Sequence, residues 1–232
     1  FNLTAVNDQP VMTSGTIPVL TLLEDAPLSS MGLSNLSFAV GGGSDESTQT
    51  LSYQATVMPT SAGVVYKSDG TTVVSAGDSL TLDELRNLKI LPAANASGTF
   101  EFKFTITDSG SGTSPNVNSL VETLNINILN FNDTPVLPTD AITFDSNGTE
   151  DTAFTFTAQD FLVGVTDPDI DTNADPSNPF GDVLSISSVS ATNGTVSGPV
   201  NGTYTFTPDT NFNSNLGTLV TFNYLINDGQ GG

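Results

Sequence analysis

One feature constrains the fold of this chain more than any other: a set of short acidic motifs that occurs twice in the same order. The segment Val6-Asn7-Asp8-Gln9-Pro10-Val11 recurs as Phe131-Asn132-Asp133-Thr134-Pro135-Val136. Matched motifs in a shared order indicate a duplicated structural unit. The further matches are Glu24-Asp25 with Glu150-Asp151, Ser44-Asp45-Glu46 with Asp167-Pro168-Asp169, Leu51-Ser52-Tyr53 with Leu184-Ser185-Ile186, and Thr105-Ile106-Thr107-Asp108 with Leu225-Ile226-Asn227-Asp228.

The repeat predicts two domains, residues 7–131 and residues 132–232, with residues 1–6 outside the repeat. In the first domain an alternating segment, residues 120–129, follows Asp108 and leads into Asn132-Asp133, and the second domain stops without a matching segment. Residues 1–6 precede Asn7-Asp8 as such a segment should. We therefore interpret them as the terminal strand of a preceding module or as a donor strand for another copy; they are Phe1, Asn2, Leu3, Thr4, Ala5 and Val6.

Local patterns predict β-strands along most of the chain. Residues 100–106 and 124–128 alternate apolar and polar side chains, as do the shorter segments 154–156 and 203–206, and this is typical of half-buried strands. Asp69-Gly70, Asn193-Gly194 and Asn201-Gly202 predict tight turns. Thr81 and Glu84 have the spacing of a capping box, which predicts one short helical turn. Many short strands separated by turn residues indicate an all-β fold of sandwich type.

Composition excludes several classes of function. The chain has 25 acidic against 4 basic residues, a net charge of −21, so nucleic acids and anionic membranes are poor partners. It has no His and no Cys, which excludes a Ser-His-Asp triad, a cysteine nucleophile and the usual zinc sites. The sequence has no apolar run of membrane-spanning length. Two-carboxylate glycoside chemistry is not excluded by composition, but we predict a protein that is not an enzyme.

The ordered motifs Asn-Asp-x-Pro, Glu-Asp, Asp-Pro-Asp, Leu-Ser-Ile and Asp-Gly resemble the cadherin-like tandem repeats of large bacterial adhesins. They also resemble, more distantly, the extracellular repeats of animal cadherins. The resemblance implies two tandem Greek-key sandwiches joined end to end, with calcium between successive modules. It departs from the animal pattern at Gln9 and Thr134, where a second Asn is expected, and at Ser44-Asp45-Glu46, whose acidic spacing differs.

The resemblance also implies a ligand set for each junction, made of the upstream Glu, the Asn-Asp pair, and the downstream acidic residues. For the junction inside the chain these are Glu24, Asn132, Asp133, Asp167, Asp169 and Asp228. For the junction before the first module they are Asn7, Asp8, Asp45 and Asp108, completed by an upstream Glu such as Glu150 of another copy. Clusters of carboxylates and amides suit calcium, which prefers oxygen ligands, although Asp and Asn are also common in ordinary turns.

The sequence thus predicts an extracellular, cell-surface or secreted structural module, stiffened by calcium, that contacts other copies of itself or flanking repeats. Two assemblies stay open: head-to-tail polymerisation by donor-strand complementation, and a longer covalent array of which this chain is one part. The alternative function is a module that binds a carbohydrate or a protein. Exposed aromatic platforms would favour that alternative, but the chain has no Trp and its Phe residues alternate as core residues do.

Overall fold

The structure is a computed structural model that describes residues 1–139, 142, 148–169, 183–214 and 219–230. The chain divides into two compact units, Phe1–Phe131 and Asn132–Gly232. The regular secondary structure described in each unit is β-strand apart from one short helix. The predicted all-β sandwich class is confirmed. No helix among the described residues is both long and apolar enough to cross a bilayer.

Unit 1 contains ten strands and one helix among its residues, all of which are described. They are β1 (Val11–Ser14), β2 (Val19–Leu23), β3 (Ser29–Ser30), β4 (Ser37–Ala39), β5 (Leu51–Val57), β6 (Gly63–Tyr66), β7 (Ser79–Leu80), α1 (Leu82–Arg86), β8 (Lys89–Pro92), β9 (Gly98–Asp108) and β10 (Ser119–Leu129).

The main sheet of unit 1 has the order β2-β10-β9-β5-β7. β9 lies in its centre and pairs with β10 and β5, antiparallel to both. β2 runs parallel to the end of β10, with Val19 opposite Asn125 and Leu23 opposite Leu129. A second sheet, β3-β8-β6, and the pair β1-β4 complete the unit. Residues 125–128 of β10 therefore lie between two neighbouring strands.

The alternation in β9 places one set of side chains in the core of unit 1. Phe102, Phe104 and Ile106 are each 0% exposed, and Leu124 and Ile126 of β10 are also fully buried. Burial of a side chain of this size contributes about 1.5–3 kcal/mol. The two longest strands of the unit therefore hold its core together.

The predicted capping box forms at α1. The Thr81 hydroxyl accepts the Glu84 backbone N–H at 3.1 Å, and Glu84 Oε2 accepts the Thr81 backbone N–H at 2.8 Å. Lys67 adds an ion pair to Glu84 Oε1 at 2.8 Å. These bonds satisfy backbone donors that a helix start leaves open, which explains why so short a helix forms here.

Unit 2 contains five strands and one helix among its described residues. They are β11 (Phe154–Thr157), α2 (Ala158–Phe161), β12 (Ser185–Ala191), β13 (Gly194–Val200), β14 (Thr203–Pro208) and β15 (Phe222–Asn227). One sheet has the order β11-β14-β13, and β12 pairs antiparallel with β15. The predicted turns at Asn193-Gly194 and Asn201-Gly202 join consecutive strands, and Asn201 has a φ of 50°, as such a turn requires.

Aromatic side chains form the core of unit 2. Phe156 stacks on Tyr204 with ring centroids 5.5 Å apart and meets Phe161 edge-on at 4.9 Å. Tyr224 of β15 contacts Phe161 at 4.6 Å. The buried core of this unit comes from β11, β12, β14 and α2, and partly buried side chains of β15 pack against it.

Residues 1–10 of the described chain include no strand. The first six were interpreted above as a terminal or donor strand. Such a strand would form only when these residues pair with another module, so that interpretation stays a prediction. In this structure they belong to unit 1, and Phe1 and Leu3 are largely exposed.

Candidate metal-binding clusters

The structure brings several predicted ligands together at two places, one in each unit. We call Asn7, Asp8, Glu46, Gln49 and Asp108 the unit 1 cluster. The unit 2 cluster is Asn132, Asp133, Asp167, Asp169 and Asp228. In each, an Asn-Asp pair lies beside the acidic residue at the end of a core strand and a buried acidic residue from a preceding loop.

In the unit 1 cluster, Asn7 is the central residue. Its Nδ2 donates to Asp108 Oδ1 at 3.2 Å, and its Oδ1 accepts Gln49 Nε2 at 2.6 Å. The next residue, Asp8, donates its backbone N–H to Glu46 Oε1 at 2.6 Å. A Cβ at Gly110 would lie 1.9 Å from Asn7 Oδ1, so only glycine leaves room for this amide. The local backbone thus fixes the Asn-Asp pair against two buried carboxylates.

Glu46 occupies the position for which the sequence analysis chose Asp45. Glu46 is 2% exposed, whereas Asp45 is exposed and has no role in the cluster's hydrogen bonds as described. Gly42, with a φ of +63°, packs so closely that a Cβ would lie 2.6 Å from the Glu46 carboxyl carbon. Glu46 could have been identified from its position in the repeat, because it aligns with Asp169. Gln49 carried no such signal.

The unit 2 cluster repeats this arrangement. Asn132 Nδ2 donates to Asp228 Oδ2 at 2.9 Å, as Asn7 does to Asp108. The Asp133 N–H donates to Asp169 Oδ2 at 2.5 Å, as Asp8 does to Glu46. Asp167 joins through its Oδ1, which accepts the Asp169 N–H at 2.9 Å. The two clusters are therefore built on one plan, with an additional carboxylate in the second.

The carboxylates of the unit 2 cluster repel one another. Asp228 is 0% exposed, Asp169 2% and Asp167 9%. Burial raises the pKa of Asp167 above its ordinary value, and the negative charges of Asp169 and Asp228 raise it further. A raised pKa means that the folded unit disfavours the ionised form of this group. A positive charge placed beside Asp167 would therefore favour its ionised form.

The chain offers no such charge in unit 2. Its four basic residues are Lys67, Arg86, Lys89 and Lys103, all in unit 1, and it has no His. Buried carboxylates are costly unless they are paired or bind a cation. Residues 132–232 contain no basic side chain, so unit 2 itself supplies no positive side chain to pair with this cluster.

Several oxygens of the clusters are available to a ligand. Glu46 Oε2, Asp108 Oδ2 and Asp167 Oδ2 are buried and have no hydrogen-bond partner among the described residues. The amide oxygens of Gln49 and Asn132 are also buried and also lack a hydrogen-bond partner among the described residues. A buried polar atom left without a partner costs about 1–3 kcal/mol, more if charged, so such a concentration points to a bound group.

These donors fit calcium in their chemistry. Calcium takes six to eight oxygen ligands from carboxylates, amide and backbone carbonyls and water. No three His, Cys, Asp or Glu side chains in the described ranges converge closely enough to hold an ion by themselves. A bound calcium would therefore depend on the amide oxygens of Asn7, Gln49 or Asn132 as well as on the carboxylates.

The two predicted glutamates lie in different surroundings. Glu24 is 1% exposed; its N–H donates to Leu129 O at 3.1 Å, and its Oε1 accepts the Phe131 N–H at 2.7 Å. The chain that follows β10 therefore covers Glu24. Glu150 is exposed and contacts Asn213 Nδ2 at 3.4 Å.

Comparison with known proteins gives a family match for the second unit. Residues 131–232 match the model of the cadherin-like domain. No curated protein matches the chain. The match thus covers all of unit 2 and the last residue of unit 1.

Solved structures of protocadherins align with the chain at low scores. Extracellular cadherin domains 1–4 of protocadherin gamma B7 align with a TM-score of 0.38 and 14% identity, covering 95% of this chain and 49% of that one. A cis-dimer structure of protocadherin gamma B7 domains EC3–6 gives 0.35 and 11%, covering 95% and 47%. Domains 3–6 of protocadherin gamma B2 give 0.35 and 11%, covering 94% and 46%. The chain spans about half the length of these structures, and scores this low support no functional conclusion.

Proposed function

We propose that this chain is a calcium-stiffened structural segment of an extracellular fibre or adhesin, with its modules following one another end to end. The observation that carries the proposal is the unit 2 cluster, in which Asp167, Asp169 and Asp228 are buried within a unit that has no basic residue. The cadherin-like match of residues 131–232 supports the same function.

Calcium would be held in unit 2 by Asp167, Asp169 and Asp228 with the Asn132-Asp133 pair. In unit 1 it would be held by Asn7, Asp8, Glu46 and Asp108, and Glu46 takes the role first assigned to Asp45. Glu24 and Glu150 remain the proposed contributions of upstream modules. When bound, the ion supplies positive charge that draws these loops together and restricts their motion.

An extracellular location suits this chemistry. Extracellular calcium modules have dissociation constants of about 10⁻⁴–10⁻³ M. The unit 1 cluster has two buried carboxylates, Glu46 and Asp108, and the unit 2 cluster has three. Since affinity depends on ligand charge, we expect unit 2 to bind calcium more tightly.

The chain would act either within a covalent tandem array or as a head-to-tail polymer of copies. In both assemblies the cluster of one module, which contains that module's own Asn-Asp pair, would receive a Glu from the module before it, so both use the same clusters. The aromatic ring contacts described in the two units lie in their cores, which agrees with a structural function.

Scanning calorimetry of the whole chain tests the calcium claim. Calcium that binds only the folded state stabilises it by about 2.7 kcal/mol at a concentration 100 times the dissociation constant. We expect the melting temperature to rise with calcium concentration relative to chelator, and to rise much less with magnesium, which demands tighter octahedral geometry. Identical transitions in calcium and chelator would refute calcium binding.

A further inference from the structure

Unit 1 holds Asn7 by all of that residue's polar groups. The Asn7 backbone N–H donates to Asn116 Oδ1 at 2.8 Å, and its carbonyl oxygen accepts the Val117 N–H at 2.9 Å. Its Nδ2 donates to Val117 O at 2.8 Å as well as to Asp108, and its Oδ1 accepts the Gln49 amide. Each of these bonds joins two groups of the chain, so none of them requires an ion.

Burial of the chain begins at this residue. Residues 1–6 are all exposed, whereas Asn7 is half-buried and Pro10 is buried. A Cβ at Gly41 would collide with the carbonyl oxygen of Gln9, so the glycine-rich loop also packs closely here. Residues 7–9, which we call the linker segment, are therefore held on unit 1 by two separate loops.

The second of these loops, residues 109–118 between β9 and β10, is itself well fixed. It is closed at its base, where the Asp108 N–H donates to Asn118 O at 3.0 Å. Within it, the backbone N–H and the Nδ2 of Asn116 both donate to Thr113 O, at 3.0 and 2.8 Å. Since the amide nitrogen of Asn116 is bound inside the loop, its Oδ1 is turned toward the linker segment. The loop thus presents an oriented acceptor.

The bonds to the linker segment use one side-chain atom of each cluster residue and leave another for a ligand. Glu46 Oε1 accepts the Asp8 N–H, Asp108 Oδ1 accepts the Asn7 amide, and Gln49 donates through its Nε2. The remaining oxygens, Glu46 Oε2, Asp108 Oδ2 and Gln49 Oε1, are buried and have no hydrogen-bond partner within the described ranges. The same bonds that hold the linker segment therefore orient three oxygens for an ion.

We propose that Asn116, Val117 and Gln49 form a clasp that assembles the unit 1 cluster on the linker segment before any ion binds. Asn116 is a positioning residue, since it contacts Asn7 and is not among the proposed ligands. The proposal deepens the proposed function, on which its statement about calcium affinity rests. In unit 1, calcium enters loops that the clasp already holds in place. A preorganised site loses less conformational freedom on binding, so the clasp increases the affinity for calcium.

Hydrogen exchange of single backbone amides, measured by NMR on the whole chain in chelator, tests the clasp without calcium. The amides of Asn7, Asp8 and Val117 donate to the bonds described above, whereas those of Asn2 and Thr4 belong to the exposed segment. After correction for intrinsic rates, we expect the three bonded amides to exchange at least about tenfold more slowly than the other two. Equal rates for both groups in chelator, whatever calcium then adds, would overturn the proposal.

Two asparagines of the loop provide a matched pair of variants. Asn116 and Asn118 are both half-buried, but the Asn118 side chain donates to Gly110 O, at 3.5 Å, rather than to the linker segment. Asn116→Ala should speed exchange at Asn7 and weaken calcium binding to unit 1, each about two- to tenfold, as expected for one lost hydrogen bond. Asn118→Ala should change neither. Asn116→Asp keeps an acceptor for the Asn7 N–H and should retain slow exchange.

A calcium titration followed on the amides of Asp108 and Gly110 reports on unit 1 alone, and the core amides of β9 show whether the unit stays folded. Unchanged exchange at Asn7 in Asn116→Ala, or equal effects in the two alanine variants, contradicts the clasp. Faster exchange with unchanged calcium affinity would overturn the positioning role of Asn116. Slow exchange in chelator without any calcium binding by the wild type would support the clasp and refute only the proposed function.

Discussion

Asp167→Asn should have opposite effects with and without calcium. Asparagine keeps an Oδ1 that can accept the Asp169 N–H, now bonded at 2.9 Å, so the loop need not change. In chelator the substitution removes a charge that burial and the neighbouring Asp169 and Asp228 disfavour. We therefore expect unit 2 of the variant to be at least as stable as the wild type in chelator, and less stabilised by calcium.

The size of the calcium effect follows from linkage. At 100 times the dissociation constant, the wild type gains about 2.7 kcal/mol, or about 11–22 °C for a unit of this size. Asp167 is one of three buried carboxylates in the cluster, so we expect its loss to weaken binding about tenfold or more. Each tenfold loss removes about 1.4 kcal/mol, which is about 6–11 °C of the calcium-dependent shift.

Calorimetry of both proteins in calcium and in chelator measures this difference. Asp209→Asn is the matched control, because Asp209 is exposed in a turn of the same unit and changes the net charge equally. A pH series also tests the direction in which the stability of unit 2 in chelator changes with pH. Since the folded-state pKa of Asp167 is raised, the folded unit holds its proton more tightly, and stability in chelator should increase as pH falls from neutrality toward about 3.9. A variant that loses stability in chelator and keeps the full calcium shift would refute this reasoning.

Three other predictions concern unit 1. Gly110→Ala should displace Asn7, whose Oδ1 would lie 1.9 Å from the new Cβ, and should reduce calcium binding at unit 1 but not at unit 2, as titration calorimetry would show. The Lys67 contact and the helix cap lower the pKa of Glu84 to about 2, so its stabilising effect is complete above about pH 4.5 and is lost as pH falls through 2; acid unfolding of Glu84→Gln should lack that component. Phe104→Ala should cost about 3–5 kcal/mol in urea unfolding, since the side chain is 0% exposed, and a loss below 1 kcal/mol would contradict the packing described for β9.

Local patterns in the sequence predicted much of the fold. The capping-box spacing of Thr81 and Glu84 was sufficient to place α1, because both partners of the cap lie within one turn. Alternation placed β9 and β10, because burial on one face of a strand imposes a period of two residues. The parallel pairing of β2 with β10 had no local signal, because it depends on how distant segments meet.

The candidate clusters were partly predictable, because some of their residues recur in the repeated motifs. The Asn-Asp pairs and the late Asp residues recur at matching positions, and the structure brings them together in each unit. The choice between Asp45 and Glu46 could not be made from residue type, because the path of the glycine-rich loop decides which carboxylate is buried. Gln49 has no acidic counterpart and could be found only from its contact with Asn7.

The central claim is that calcium stiffens this chain, and small-angle scattering of the intact protein at low concentration measures it directly. The account predicts that calcium narrows the distribution of molecular dimensions relative to chelator, and that Asp167→Asn with Asp169→Asn reduces this effect while both units stay folded. Scattering curves that superimpose in calcium and chelator, at calcium concentrations well above 1 mM, would contradict the claim.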